Sequence, residues 1–510
     1  MKRIFSLRLT AIALAVATLA ASCEKKLEEV VPQTTLPRSA VLTDPNAALS
    51  LYQGVYANFR GFHGTLFTFG ELRSDIWADG IFTESADGTA VQYSTFNFNQ
   101  SNAPAGNWGG FYSLLDKINT VIDLFPQAPL DDATRKRCIA EMYGMRAYVY
   151  YTMLRTWGGV PITSTPVTAV GELTELYRER SSEADVMKLI KEDIEQSLTL
   201  FGTTHTFSGK RVYWNRAASL TLKGDVYLWS GTNMGGSTAD FTTARTALEE
   251  LTTLPAATLG LQPVYADIFD PTKETNNREI IFGISFELNE ATHGAYGNIT
   301  VNTTQASTLI FDPPPAPVRT RVDSAYPLVA GASRIGMNSA MLTRLASTTD
   351  TRIRASYRTM HRTTTGFPVA GVMLVKFIGR VNAGAQLYDN NFPVYRYADV
   401  LLLLAEAKAK LGGDPSTEIN AIRQRAYGSG FTPYTDGSTD ADLTAILEEG
   451  LREFIGEGRR WWALRRAGDS FVFANIRSTY LSQATKHKYL LPITTSMLNG
   501  DPKLTQTPGY

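Results

Sequence analysis

Cysteine is scarce: Cys23 and Cys138 are the only two in 510 residues. One bridge at most excludes a disulfide scaffold, and Cys138, inside a helical stretch, is expected to be a free buried thiol. Net charge is missing too, with 49 basic and 49 acidic residues, which leaves no electrostatic footprint for nucleic acid or an anionic bilayer. Beyond the N-terminal leader no apolar run reaches membrane-span length. "VLLLLAEAKAKL" at 400–411 comes closest, and Glu406 and Lys408 break it well short of the ~20 residues a spanning helix needs. Catalytic signatures are absent as well: there is no G-x-S-x-G elbow, Walker loop or G-x-G-x-x-G fingerprint. The histidines, His63, His205, His293, His361 and His487, are scattered without ligand spacing, so neither a metal nor a cofactor is expected.

What is present begins with a leader. Lys2, Arg3 and Arg8 precede an uncharged stretch from Leu9 to Ala21 that ends in small side chains, the layout of an export signal. Ala20-Ala21-Ser22-Cys23 then resembles the lipobox of bacterial lipoproteins, with Leu19 one place further back than usual. A plain secretory signal cut near Ala21 is the alternative. Lipidation of Cys23 is favoured, because a lone cysteine at a cleavage site otherwise has no use. Removing the leader takes three of the 49 basic residues and leaves a mature formal charge of about −3. Attachment to a membrane then rests on acyl chains alone.

Helical periodicity dominates both ends of the chain. Asp44 and Pro45 form an N-cap and first-turn pair before a stripe of Leu49, Tyr52, Tyr56 and Phe59. "CIAEMYGMRAYVYYTMLRTW" stops at Gly158-Gly159 and Pro161, and Ser182 with Asp185 opens the next helix. "NRAASLTLKGDVYLWSG" with "DFTTARTALEELTTL", and "YRYADVLLLLAEAKAKL" with "INAIRQRAYG", read as helix pairs loosely like tetratricopeptide units. Between about Thr232 and Asn391 the chain is rich in Thr, Gly, Asn and Pro, with "EIIFGISFE" and "VMLVKFIGR" as short strand candidates. Residues 79–106 form a second irregular excursion.

In order along the chain, these pieces resemble the SusD/RagB family of outer-membrane nutrient-binding lipoproteins. The carriers are "CEKKLEEVVPQTTLPRSAVLTDPNAALSLYQGVYANF", "NWGGFYSLLDKIN", "AEMYGMRAYVYYTMLRTWGGVPI", "YRYADVLLLLAEA", "ILEEGLREFIGEGRRWWALRR" and the final "KLTQTPGY". Gly450 and Gly456 depart from the bulkier residues usual there and are expected to interrupt that helix, since each costs about 1 kcal/mol against Ala. The resemblance implies a mostly α fold of tetratricopeptide-like hairpins with long loops and few short strands. It implies a signal peptide at 1–22, a helical region at 23–230, a loop-rich insertion at 231–390 and a helical region at 391–510. Residues 231–510 are expected to pack with 23–230 as one compact unit. It further implies a lipid-anchored protein facing the cell exterior, which binds oligosaccharides, or in a RagB-like branch peptides, and delivers them to a SusC-like TonB-dependent β-barrel transporter without catalysis.

A secreted glycoside hydrolase is the rival of another class, with Asp399 and Glu406 as its carboxylates. Seven residues apart on one helix face, they lie roughly 10 Å apart along the axis, and such neighbours rarely converge on one cleft. The expected arrangement is Asp399 in the first helical turn and Glu406 paired with an arginine of the adjoining helix. "RRWWALRR" at 459–466 reads as a structural helix, its bases offset by Glu448, Glu449, Glu453 and Glu457 and at least one tryptophan turned inward. For a sugar, aromatic plates with polar neighbours are sought outside the periodic helices. Trp77, Tyr93, Phe96, Tyr296 and Phe311 are the candidate plates, with Asp75, Asn97 and Asn298 as hydroxyl partners; Trp108 falls on a helix and is expected in the core.

Overall fold

Local chemistry starts and stops the helices where the pattern predicts. The computed structural model describes residues 37–79, 88–105, 107–168, 172–313, 316, 319–327 and 331–510. The leader, Cys23 and most of the proline run at 311–317 lie outside them, as do residues 80–87 of the excursion at 79–106. Helix α1 (Pro45–Phe59) is capped by the Asp44 carboxylate, which accepts from the Asn46 amide at 2.9 Å, and it buries Ala48, Tyr52, Val55 and Phe59. The short α2 (His63–Glu71) and α3 (Gly88–Thr95) follow, then α4 (Gly109–Leu124). Helix α5 (Asp132–Trp157) ends at Gly158, and Ser182 caps α6 (Glu183–Phe201) by accepting from the Asp185 amide.

Helices α7 (Arg216–Asn233) and α8 (Ser237–Thr252) form the next pair, and α9 (Tyr397–Lys410), α10 (Ser416–Tyr427), α11 (Thr439–Glu453) and α12 (Arg460–Ala467) complete the set. Each packs mainly on its neighbour in the series: α4 on α5, α5 on α6, α6 on α7, α7 on α8, α8 on α9, and α9 on α10 and α11. This is the tetratricopeptide-like logic of hairpins that bury their apolar faces only by stacking. Small residues make the approach close, as at Ala405, Ala407 and Ala409, none of which is exposed. Cys138 is a free, buried thiol.

Short antiparallel sheets decorate the stack. Strand β1 (Trp77–Asp79) pairs with β4 (Ile335–Met337), β2 (Ile280–Ile284) with β7 (Phe392–Arg396), and β3 (Leu309–Ile310), β5 (Tyr357–Arg362) and β6 (Val369–Leu374) form a third sheet. The main apolar cluster runs from Val41 to Met497, a second joins α9, α10 and α11, and a third lies under the sheet of β3, β5 and β6. Asn215 joins helix to sheet: its side chain accepts from the Ala218 amide at 3.0 Å and donates to the Ile281 carbonyl at 2.8 Å. Asn215→Ala removes a cap and strands a buried carbonyl, so it is expected to cost about 2 kcal/mol. Equilibrium denaturation and amide exchange at Ala218 read that loss directly.

A buried ionic network ties the loop-rich middle to the C-terminal helices. Arg396 Nη1 bonds Glu279 at 2.7 Å and Glu453 at 2.6 Å, and its Nε bonds Glu457 at 2.8 Å; all four side chains are fully enclosed. Arg352 faces Asp350 at 2.8 Å and Glu449 at 3.0 Å, while Lys376 meets Glu457 at 2.8 Å. Helix α11 stops at Glu453, three residues beyond Gly450, and the chain turns before α12 through Gly456 and Gly458, with φ of 84° and 73°. The expected interruption is therefore real, with Gly450 itself helical and Gly456 in the turn. Left-handed backbone explains the glycines in part. The rest is contact: a Cβ on Gly458 would come within 2.5 Å of the Leu66 carbonyl oxygen. The Glu71 carboxylate holds this turn, accepting from the amides of Gly456 and Gly458 at 2.7 Å each and from Trp77 Nε1 at 3.1 Å.

Candidate functional site

Helices α1, α2 and α4 and the turn at 294–298 enclose an open cleft of about 700 Å³, within the size range of small-ligand sites. Its floor is aromatic. Phe62 and Phe111 meet edge to face with centroids 4.7 Å apart, Phe69 stacks on Phe111 at 6.3 Å, and Tyr93 lies 6.4 Å from Phe69. Its rim is amide and hydroxyl: Asn58, Thr65, Thr68, Asn107, Ser113 and Asn298. Among the described residues none of the lining side chains carries charge at neutral pH. Burial pushes the Tyr93 phenol well above its ordinary value, opposed in part by the charge of Arg73, so it stays protonated. His63 and His293 stand beside the cleft residues in sequence, and burial lowers both, His293 to about 3. They are neutral imidazoles through the physiological range.

Glycines line the cleft as well. A Cβ at Gly61, Gly110 or Gly294 would meet no protein atom within 4 Å. Packing does not require their smallness, and the space beside them is open. The chemistry on offer is hydrophobic contact from below and neutral hydrogen bonding from the sides, which suits a polar, uncharged ligand with an apolar face.

Of the candidates read from the sequence, the cleft brings together Tyr93 and Asn298, some 200 residues apart in the chain. The others sit elsewhere. Trp77 is buried, its indole donating to Glu71 and its ring edge-on to Phe67. Phe96, fully enclosed, packs on Trp461 at 5.4 Å. Tyr296 donates to the Gly456 carbonyl at 2.7 Å and stacks on Phe377 at 4.8 Å. Phe311 is buried with the Arg358 guanidinium 3.9 Å from its centroid. Each is an anchor that fastens its loop to the core away from the cleft; Tyr93, 2% exposed, is as enclosed as they are but borders the cleft. Asp75 is bonded to Arg460 at 2.8 Å; burial alone would raise its pKa, and the Arg460 charge brings it below the ordinary value. Asn97 is exposed outside the cleft, and Trp108 is buried as expected.

The residues that pattern reading passed over lie on helices. "FHGTLFTFGE" at 62–71 interleaves threonines with phenylalanines, so one face of α2 presents Thr65 and Thr68 beside Phe69. Threonine on an apolar helix was the available signal, and a search confined to loops missed it.

The carboxylates of the hydrolase reading are held apart. Asp399 Oδ2 accepts from the Arg396 amide at 2.9 Å, inside the first turn of α9, and Oδ1 from Arg459 at 2.8 Å. Glu406 pairs with Arg466 of α12 at 3.1 Å, the neighbour-helix arginine expected for it. The gap they border is about 60 Å³, room for a few waters and not for a sugar ring. Both tryptophans of the 459–466 segment are buried.

A stack of helical hairpins with short sheets, carrying an aromatic-floored cleft uncharged among the described residues, defines a helical-hairpin scaffold protein. Residues 343–510 match a family model described as "SusD family", and residues 52–228 match one described as "Starch-binding associating with outer membrane". The chain belongs to the SusD family. It is similar to a SusD superfamily protein of Bacteroides vulgatus, with 30% identity over 92% of this chain and 99% of that one and a TM-score of 0.81. It is similar to NanU of B. fragilis, with 31% identity over 94% of this chain and 100% of that one and a TM-score of 0.82. A SusD-like protein of Formosa agariphila is 24% identical over 96% of both chains.

Proposed function

We propose that this protein is a lipid-anchored, outward-facing outer-membrane protein that captures an oligosaccharide in the cleft and passes it unchanged to a TonB-dependent β-barrel transporter. The cleft carries the reading. Its aromatic floor matches the C–H face of a sugar ring, and its uncharged amides and hydroxyls match the ring hydroxyls. The floor and most of the rim fall within residues 52–228, the part matched by the family model described as starch-binding. A peptide fits less well, because among the described residues no strand edge lines the cleft to extend its backbone bonding and no charged side chain awaits a terminus. Tyr93 and Asn298 are the proposed contacts among the residues read from the sequence.

Isothermal titration against neutral polysaccharides and against a peptide mixture tests the proposal. Heat on glycan and none on peptide is expected, with no product released. Asn298→Ala is expected to weaken glycan binding about tenfold, the loss of one hydrogen bond, with unchanged melting. Binding to peptide alone would reverse the ligand assignment. Because Tyr93 stays protonated and His293 stays neutral, and no charged side chain among the described residues lines the cleft, the dissociation constant is expected to vary less than about twofold from pH 6 to 8. A steep pH dependence in that interval would mean that an ionisable group outside the cleft makes the contact.

A further inference from the structure

Arg73 is completely buried, yet only its Nη1 is bonded, donating to the Tyr489 carbonyl oxygen at 2.9 Å. Its Nε and Nη2 meet no acceptor. Arg465, also buried, donates to the same Tyr489 oxygen at 3.3 Å and to the Arg155 carbonyl at 3.1 Å, and its Nε is unpartnered. Two guanidinium groups thus converge on one carbonyl. Trp461 lies against both, 5.1 Å from Arg73 Cζ and 5.8 Å from Arg465 Cζ, and its Nε1 has no acceptor either.

Other buried arginines are satisfied: Arg146, Arg352, Arg396 and Arg460 each face a carboxylate, and Arg211 donates to the carbonyls of Arg278, Ile280 and Thr258. Among the described residues neither Arg73 nor Arg465 is bonded to a carboxylate; Glu183 and Asp469 act on Arg465 only through space. Burial holds Arg73 down to about 9, with the charge of Arg465 adding to the effect, and holds Arg465 down to about 10. Both remain cations at neutral pH. The aromatic faces around them offset only part of the cost of keeping ions from water.

The unpartnered atoms of Arg73, Arg465 and Trp461 are all donors; Tyr489 Oη, also unpartnered, can accept as well as donate. A water placed among them would need acceptors for its own hydrogens, and the shared Tyr489 carbonyl oxygen already accepts from both guanidinium groups. An anion needs none. We propose that Arg73, Arg465 and Trp461 Nε1 hold a small monovalent anion of the halide class, enclosed as the chain folds. The ion would neutralise the positive charge of the two guanidinium groups.

Crystals of the intact protein soaked in bromide and measured at the bromine absorption edge test this. An anomalous peak between the two guanidinium groups is expected. The melting temperature in sodium chloride is expected to exceed that in sodium gluconate of equal ionic strength, saturably, by about 2 °C. Arg73→Met is expected to abolish that difference. Absence of a bromide peak at the pair overturns the proposal whether or not the variant folds. A peak without the chloride-dependent rise marks an adventitious ion only and overturns it equally. Both readouts are independent of glycan binding.

Discussion

Arg396→Met is expected to lower the unfolding free energy by about 4 kcal/mol or more, because removing one partner leaves buried carboxylates uncompensated. Glu279, Glu453 and Glu457 all bond this guanidinium in full enclosure. Burial by itself would raise Glu453 and Glu457. Arg425, Arg396 and Arg352 bring Glu453 below its ordinary value, and Arg396 with Lys376 does the same for Glu457. The stability these two glutamates supply is present above their unfolded value of 4.5 and is lost as pH falls through the lower folded values. In the variant Glu453 keeps Arg425 and Arg352 and Glu457 keeps Lys376, but losing Arg396 lets burial raise both. A carboxylate raised above its unfolded value makes the variant gain stability as pH falls through it. The gap between the two proteins should therefore narrow between pH 8 and pH 5. Urea denaturation at both ends of that interval reads it. A gap that stays constant would place the cost in lost packing and remove the carboxylates from the explanation.

Gly110→Trp is expected to weaken glycan binding at least tenfold with melting unchanged or slightly raised. Gly110 is exposed in the first turn of α4, lines the cleft, and has no protein atom within 4 Å of a built Cβ. Replacing a helical glycine gains up to about 1 kcal/mol, so the fold should tolerate the change. An indole there competes with ligand for the aromatic floor. A variant that melts normally and binds glycan with unaltered affinity would move the site away from this cleft.

Much of the fold is legible before any coordinate is consulted. Caps at Asp44 and Ser182, the stop at Gly158, and apolar spacing in α1 and α6 are local chemistry that acts within a few residues. The pairing of Glu406 with a neighbouring arginine is legible too, because a carboxylate on a buried helix face requires one. The site is less legible. A phenylalanine or tyrosine in an irregular segment has two fates, a platform for ligand or an anchor for its own loop. The choice rests on partners far away in sequence, as Tyr296 shows by reaching the carbonyl of Gly456.

Sequence by itself determined the family, the helical class and the positions of helix ends, since short-range sterics and hydrogen bonding set these. The tertiary structure alone decided which aromatics border the cleft, that Tyr93 and Asn298 share it with α2 and α4, and that Arg73 is bonded to no carboxylate among the described residues. Burial and charge pairing are sums over long-range neighbours, and no periodicity along the chain encodes which neighbours arrive.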